Sequence, residues 1–481
     1  PFWLNLEVTA VSASTCRAAA CSHRPMAART ARSPHSSRSV ELQESLCQPD
    51  SGVEALSPAK AIFTLTQNIL GAGVLALPFA IRSGGIVGGF GLLMLIYLLT
   101  VCSMGALVLL ANCIGEFSYK GQAVKTLGGG LSTLFEVWVL CYTLGICIGY
   151  PILLGDFLSS IIHEMGAADW CTPQLCMIVA VLAVCWPFSC APTLGTLGKL
   201  SVLGVLFITS TVVIVMYRYA DGSYGGRDEG GVKAFVFKDF GSCFPILVGA
   251  FGAHFNIPAL YKEVAPQAGA ADWGTTIEGR AAFRTMMRVI VWSLTVCAAI
   301  YAIVGGIVYA TFGNLTQDDF TKNFKKDDPL IILVRGTMAL SICISFPLVM
   351  VSARTAVFNL VFRPRGWEMS TLVRIGLTSV LVLFCLGLAL LAGGDLGTVL
   401  AYNGSIFGTP ICYVAPALMY LRLPKASQKP LWRYSSLLCA VLGIGFGIFG
   451  IITVTINHDN AATKHGGGKT GDPATMIVAF R

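Results

Sequence analysis

In this chain of 481 residues, 55% hydrophobic and only 12% charged, side chains able to do chemistry in an apolar setting are scarce. Of six histidines, only His254 falls in a stretch apolar enough to cross a membrane. No HExxH, paired-carboxylate or Cys/His cluster lies at such depth, which leaves an intramembrane enzyme little to work with. A channel built on rings of charge is equally poorly supplied. What the sequence offers instead is interrupted helix. Residues 68–79 read NILGAGVLALPF, with Gly71, Gly73 and Pro78, and residues 249–263 read GAFGAHFNIPALYKE, with Gly252, His254, Asn256 and Pro258. Glycine and proline weaken helices, and unwound backbone is tolerated in a membrane only where it lines a cavity. There, freed N–H groups and the positive end of the following half-helix suit a carboxylate, and freed carbonyls suit an ammonium group or a cation. A zwitterionic amino acid presents both ends. The competing explanation is that membrane helices carry Gly and Pro for kinks and close packing. For either segment alone the two explanations balance; two such segments in matching positions favour a site.

The elements that must position these breaks are apolar windows of about 20 residues, the length that crosses about 30 Å of hydrocarbon. They fall at 61–82, 86–112, 131–160, 174–191, 197–217, 241–262, 286–312, 330–361, 371–393, 396–421 and 434–456. The chain is therefore predicted to be an all-α polytopic membrane protein of about eleven transmembrane helices. Counts of ten or twelve stay open because Pro187, Pro192 and Gly195 leave only a short turn between the fourth and fifth windows. The interrupted segments are the first and sixth, the spacing expected of two inverted five-helix repeats that each open with a discontinuous helix. Residues 1–60, rich in Ser, Ala and Arg, read as a disordered cytosolic tail, with a targeting peptide as the alternative. The transmembrane domain is expected over 61–456 and a polar tail over 457–481. The chain begins at Pro1, so the true start is left open.

Orientation follows from 33 Lys+Arg. With a cytosolic amino terminus, the inside segments hold most of them, as the positive-inside rule asks. The segment 422–433 carries Arg422, Lys425, Lys429 and Arg433 and no acid, whereas 162–173 and 394–396 carry acids and no Lys or Arg. The sequon at Asn314 falls in an outside loop as a glycosylation candidate, and the one at Asn403 lies within a helix, out of reach. Arg354 stands about 36 Å along its helix from Leu330 and is expected to snorkel at the cytosolic interface. Glu136 and Asp156 are expected at opposite interfaces. Arg280, Arg284 and Arg288 make one basic helical face, read as a lipid-headgroup contact. The 17 cysteines are scattered through apolar helices and read mostly as packing residues.

At the interrupted segments the sequence resembles the amino acid/auxin permease family, in its branch of sodium-coupled neutral amino acid transporters and vacuolar relatives. NILGAGVLALPFA is similar to that family's N-x-x-G-x-G-[IV]-L-x-L-P-[YF]-A pattern, and FGAHFNIPALYKEV to its F-x-x-H-x-[NE]-x-x-x-[LI]-Y-x-E-[LV] segment. SFPLVMVSARTAV and the GDFL ending at Leu158 also match, so the resemblance extends over about 61–456. It implies a LeuT-type five-plus-five core with discontinuous helices 1 and 6, an eleventh helix, and secondary active transport of amino acids. It also implies that backbone at Gly71, Ala72 and Gly73 binds the substrate carboxylate. Phe251, Gly252, His254 and Asn256 would line the other side of the pocket, and Tyr142 or Tyr150 would cap it. Ser345 matches a hydroxyl that holds Na⁺ in coupled members, with the alternative that it bonds its own helix backbone. Where those members place an asparagine, this chain has Gln67, with Asn68 one step, or about 100° of helix rotation, later. A Na⁺ site at Gln67 and Ser345 is thereby weakened, and proton coupling is preferred. His254 is the titratable candidate for that proton, and a neutral histidine bonded to neighbouring backbone is the competing role. The family sometimes ties its outer loops with a disulfide, for which Cys171 and Cys243 are the candidates.

The expected function is alternating-access transport of amino acids, neutral ones preferred because mid-membrane charge is scarce, coupled to H⁺ or Na⁺ and needing no other cofactor. The rival is an amino acid sensor signalling through its cytosolic tail or loops. The expected setting is the lipid bilayer of the plasma membrane or of a vacuole or lysosome, with no nucleic-acid partner. The sequence leaves open the exact substrate, the protein partners and the oligomeric state.

Overall fold

In a computed structural model of the chain, the described residues are 56–71, 73–166, 170–224, 231–237, 239–265, 277–392, 401–425 and 428–465. They form an all-helical protein. The expected tail over 1–60 falls almost wholly outside these residues. Helix α1 (Pro58–Leu70) starts where local chemistry directs: Ser57 Oγ accepts the N–H of Lys60 at 3.4 Å and Pro58 fills the first turn. After a break comes α2 (Gly73–Ile114), of 42 residues. At 1.5 Å per residue it would run about 63 Å, twice the hydrocarbon thickness, and it is divided at Gly85, whose φ of 76° and ψ of 171° are not helical. Short α3 (Tyr119–Leu127) precedes α4 (Gly129–Glu164).

Helix α5 (Pro173–Ser189) is shorter and contains a π turn over Val181–Cys185. Then follow α6 (Gly198–Ala220), α7 (Phe240–Ala250), α8 (Ile257–Val264), α9 (Ile277–Phe312), α10 (Pro329–Val357) and α11 (Thr371–Ala392). The last two are α12 (Asn403–Leu421) and α13 (Pro430–His465). Helix α13 continues past residue 456, so the polar tail expected from residue 457 begins as helix. Among the described residues, nine helical stretches are long and apolar enough to cross a membrane, with α5 as a shorter apolar helix.

Packing sorts the helices into two bodies. Helices α7 and α9 lie along α2, with α1 against α9; α10 lies along α4, which also carries α5 and α11. Helix α6 touches both bodies, through α1 and through α10. The outward sides of α11 and α13 carry exposed aliphatic residues such as Val380, Leu391, Val441 and Ile448, as expected of surfaces that face lipid. On the side assigned to the outside, the segment 233–236 lies across the Gly85 junction. Ile86 N–H donates to Lys233 O at 3.0 Å, Val87 N–H to Ala234 O at 2.9 Å and Val236 N–H to Gly84 O at 3.1 Å.

Two charges depart from their expected interfacial roles. Arg354 is 2% exposed and does not snorkel: it donates to Ser189 O at 2.9 Å, Ala191 O at 2.9 Å and Thr378 Oγ1 at 3.1 Å. It caps the carbonyl end of α5, where the helix dipole favours a cation. Glu136 is also buried and accepts from Asn359 Nδ2 at 2.9 Å.

Candidate substrate and ion site

The first break is built around Gly71. Helix α1 ends with Gly71 N–H donating to Gln67 O at 3.3 Å, and Gly71 then turns with φ 28° and ψ −134°. A side chain there would be strained by that φ, and its Cβ would lie 2.2 Å from Tyr150 Oη. Tyr150 therefore lies over the break. Gly73 opens α2, and a Cβ on it would meet Ala250 Cα at 3.1 Å. Ala72 lies outside the described residues.

Ala250 ends α7, so this close approach brings the second break against the first. Phe251 and Gly252 leave the helix, a single 3-10 turn spans His254–Asn256, and α8 resumes at Ile257. A Cβ on Gly252 would stand 1.8 Å from Tyr142 Oη, which donates to Gly249 O at 3.1 Å and lies 3.5 Å from Gly252 O. Phe251 is fully buried, edge-on to Tyr301 with ring centroids 5.2 Å apart.

Tyr301 of α9, which the sequence reading overlooked, joins the two breaks. Its hydroxyl lies 3.0 Å from Ile69 O and 2.9 Å from Ala250 O. These are two of the carbonyls that helix termination frees. A hydroxyl has one proton, so Tyr301 donates to one of them at a time.

At Gln67 the side-chain amide turns towards α10. Gln67 Nε2 lies 3.1 Å from Ser341 O, 3.0 Å from Ser341 Oγ and 2.8 Å from Ser345 Oγ, while Ser345 Oγ lies 3.3 Å from Gln67 O. Ser345 thus bonds across to α1 as well as standing in its own helix. Three oxygens converge on one amide nitrogen, and Ser341 was missed although it lies four residues before Ser345 on the same helical face. Gln67 Oε1 is buried without a partner among the described residues, facing Gly204, where a Cβ would stand 2.5 Å away. Asn68 is buried, one step round the helix.

His254 departs from the backbone-bonded role. It is fully buried, and neither Nδ1 nor Nε2 has a hydrogen-bond partner among the described residues. Its ring stands edge-on to Tyr413, 5.7 Å between centroids. Asn256 Oδ1 accepts from Ser352 Oγ at 2.5 Å, and its Nδ2 is likewise unpartnered. Buried polar groups without partners are uncommon, and here three open nitrogens sit on one helical turn. Asn403, dismissed as an unreachable sequon, has a structural part: its Nδ2 donates to Tyr142 O at 3.1 Å. No group of three or more His, Cys, Asp or Glu able to hold a metal ion exists among the described residues.

Of the remaining expected sites, Asn314 lies in a 3-10 turn, Gly313–Leu315, partly exposed. The expected Cys171–Cys243 pair is not brought together: no S–S bond joins them, and Cys171 Sγ stands 3.4 Å from Cys176 Sγ. Cys243 is fully buried beside Gly84.

Apolar spans enclosing paired helix breaks, with open polar groups between them, are the arrangement of a membrane transport protein. The solved structures it resembles have the same architecture: a manganese transporter from Eremococcus coleocola superposes with a TM-score of 0.56 over 86% of this chain and 89% of that one, at 9% identity, which speaks for the fold alone. The family model for transmembrane amino acid transporter proteins matches residues 54–456, and the chain belongs to that family. Amino acid transporter AVT6E of Arabidopsis thaliana is 27% identical over 417 residues, 82% of each chain. The mouse protein named "Putative sodium-coupled neutral amino acid transporter 11" is 26% identical over 392 residues, 80% of this chain and 82% of that one.

Proposed function

We propose that the chain carries neutral amino acids by alternating access, driven by protons rather than sodium. We infer eleven crossings in a five-plus-five inverted-repeat arrangement. Helix α2 supplies two of the crossings, divided at Gly85, and α5 supplies one. Helix α1 with the start of α2, and α7 with α8, are the discontinuous first and sixth spans. The amino terminus is cytosolic on this reading, because the basic short loops then face inward.

The observation that carries the function is the meeting of the two breaks under Tyr301. It brings the ends of α1 and α7 and the starts of the half-helices that follow them together in one place, the arrangement a zwitterion needs. The substrate carboxylate is assigned to the backbone at Gly71–Gly73. The open nitrogens of His254 and Asn256 serve the opposite side. Few charges face this region, which supports a neutral side chain.

Sodium independence rests on Gln67. A cation held by Ser341 O, Ser341 Oγ and Ser345 Oγ would need the place that Gln67 Nε2 takes. An amide NH₂ has two protons and satisfies two of those three oxygens at a time by donating to them. His254 is the proton carrier on this reading, since imidazole is the side chain whose ordinary range spans physiological pH.

The test is uptake of a panel of labelled amino acids into proteoliposomes under an imposed proton gradient with choline in place of sodium, and under a sodium gradient without the proton gradient. Accumulation in the first arm only is expected. Accumulation that requires sodium overturns the coupling, and ligand binding without accumulation in either arm would mark a sensor. In the same vesicles His254→Ala is expected to flatten the uptake profile between about pH 5.5 and about pH 8; an unchanged profile removes His254 from the proton path.

A further inference from the structure

The start of α5 carries chemistry that transport does not use. Thr172 is its N-cap, with Oγ1 accepting the N–H of Leu175 at 3.3 Å, and Pro173 occupies the first helical position. Cys176 N–H donates to Thr172 O at 3.1 Å, closing the first turn. By this numbering Cys171 is the residue before the cap and Cys176 the fourth helical residue. Those are the positions a hydrophobic staple brings into contact. Here both are thiols, with Sγ atoms 3.4 Å apart and each residue 6% exposed. The turn is seated on α4, where a Cβ on Gly155 would stand 2.6 Å from Pro173 O.

We propose that Cys171 and Cys176 are joined as a disulfide, a covalent form of the staple at the head of α5. The capping geometry has already made the approach, and an S–S bond of about 2.05 Å needs a further closure of about 1.4 Å, within reach of side-chain rotation. The bond forms by exchange with a second disulfide, that of a thiol oxidoreductase or of oxidised glutathione. One thiolate attacks it and releases a thiol, and the other cysteine displaces the second. The S–S bond of the oxidant breaks as that of the transporter forms, and both protons pass to the departing sulfurs. The proposal rests on the topology given under Proposed function, which places this loop on the non-cytosolic side where disulfides persist.

The experiment uses the full chain expressed in eukaryotic cells. Membranes are denatured in N-ethylmaleimide, digested with and without prior reduction, and read by mass spectrometry, with glycosylation at Asn314 in the same sample reporting the side of the membrane. The expected result is that Cys171 and Cys176 carry no maleimide before reduction, carry it after, and appear as one linked species. Two maleimide-labelled thiols overturn the proposal: with Asn314 glycosylated the chemistry has failed, and with Asn314 bare the topology has failed with it. A Cys171–Cys243 link overturns it as well. A thermal arm separates bonding from mere packing. Cys171→Ser, Cys176→Ser and the double variant are expected to lower Tm by the same amount, because each removes one bond. A double variant whose loss is the sum of the single losses refutes the bond.

Discussion

The hydroxyl of Tyr301 is shared by two carbonyls, Ile69 O and Ala250 O, that no helix satisfies. Tyr301→Phe keeps the ring against Phe251 and strands at least one buried acceptor, a loss of about 1–3 kcal/mol. If the loss falls on the transport-competent arrangement, uptake drops about tenfold, since about 1.4 kcal/mol is one decade. We expect that drop at unchanged surface abundance, measured as initial uptake per molecule in the membrane; a wild-type rate would show that the clamp is dispensable. The breaks themselves were legible because Gly and Pro in apolar runs announce them. Tyr301 was not, because one tyrosine in an apolar span looks like any packing aromatic until the chain is folded. Ser341 was half legible, since its i, i+4 relation to Ser345 is written in the sequence but its partner Gln67 lies 274 residues away. The open nitrogens of His254 could not be foreseen at all, because whether a neighbour bonds them depends on tertiary contacts.

Among the connecting elements, the loop between α9 and α10 has its own titration. Asp319 is buried there and accepts from the Thr321 N–H at 3.0 Å and Thr321 Oγ1 at 2.9 Å. Burial outweighs those bonds and pushes its carboxyl up to about 6 from an ordinary 3.8. Between these values the folded loop binds more proton than the unfolded one, so its stability is full below about pH 4 and falls as pH rises through about 6. The change is on the order of 3 kcal/mol. Hydrogen exchange over 316–328 should quicken across this range in the native chain, and Asp319→Asn should flatten the response; an equal slope in both assigns the effect elsewhere. The same scale shows how Arg354 misled. Its rise along α10 placed it at the end of a helix, yet that end is covered by the carbonyl terminus of α5 and by Thr378 of α11. Position along an element was readable from the sequence; what packs upon it was not.

For the whole molecule, the two bodies must separate on the cytosolic side if substrate is to leave there. Contacts at the end of α8 tie it to α2, to the segment before α1 and to the turn before α6. Tyr261 Oη donates to Asn112 Oδ1 at 2.9 Å, and Glu263 O accepts the N–H of Leu56 at 2.9 Å. The Glu263 carboxylate lies against the turn before α6, where a Cβ on Gly195 would stand 2.7 Å from its Oε2. Glu263→Ala removes the carboxylate that packs between α8 and the turn before α6. We expect Cys190 in that neighbourhood, already partly exposed, to react several-fold faster with maleimide from the cytosolic side; an unchanged rate would mean that Glu263 holds nothing closed. The apolar windows foresaw an all-helical membrane fold because hydropathy sets it, and nine helical stretches among the described residues are long and apolar enough to cross. Their sorting into two bodies came from small residues and single hydrogen bonds that no window average registers.

The amide nitrogen of Gln67 among the three oxygens of α10 has one more consequence. A dissolved ion enters its site at a rate set by its concentration, so a carrier that waits for one slows in dilute water and saturates in concentrated water. A group tied to the chain by covalent bonds has no off-rate into solution and no Hill slope. A carrier that brings its own occupant would keep the same pace in fresh and salt water alike.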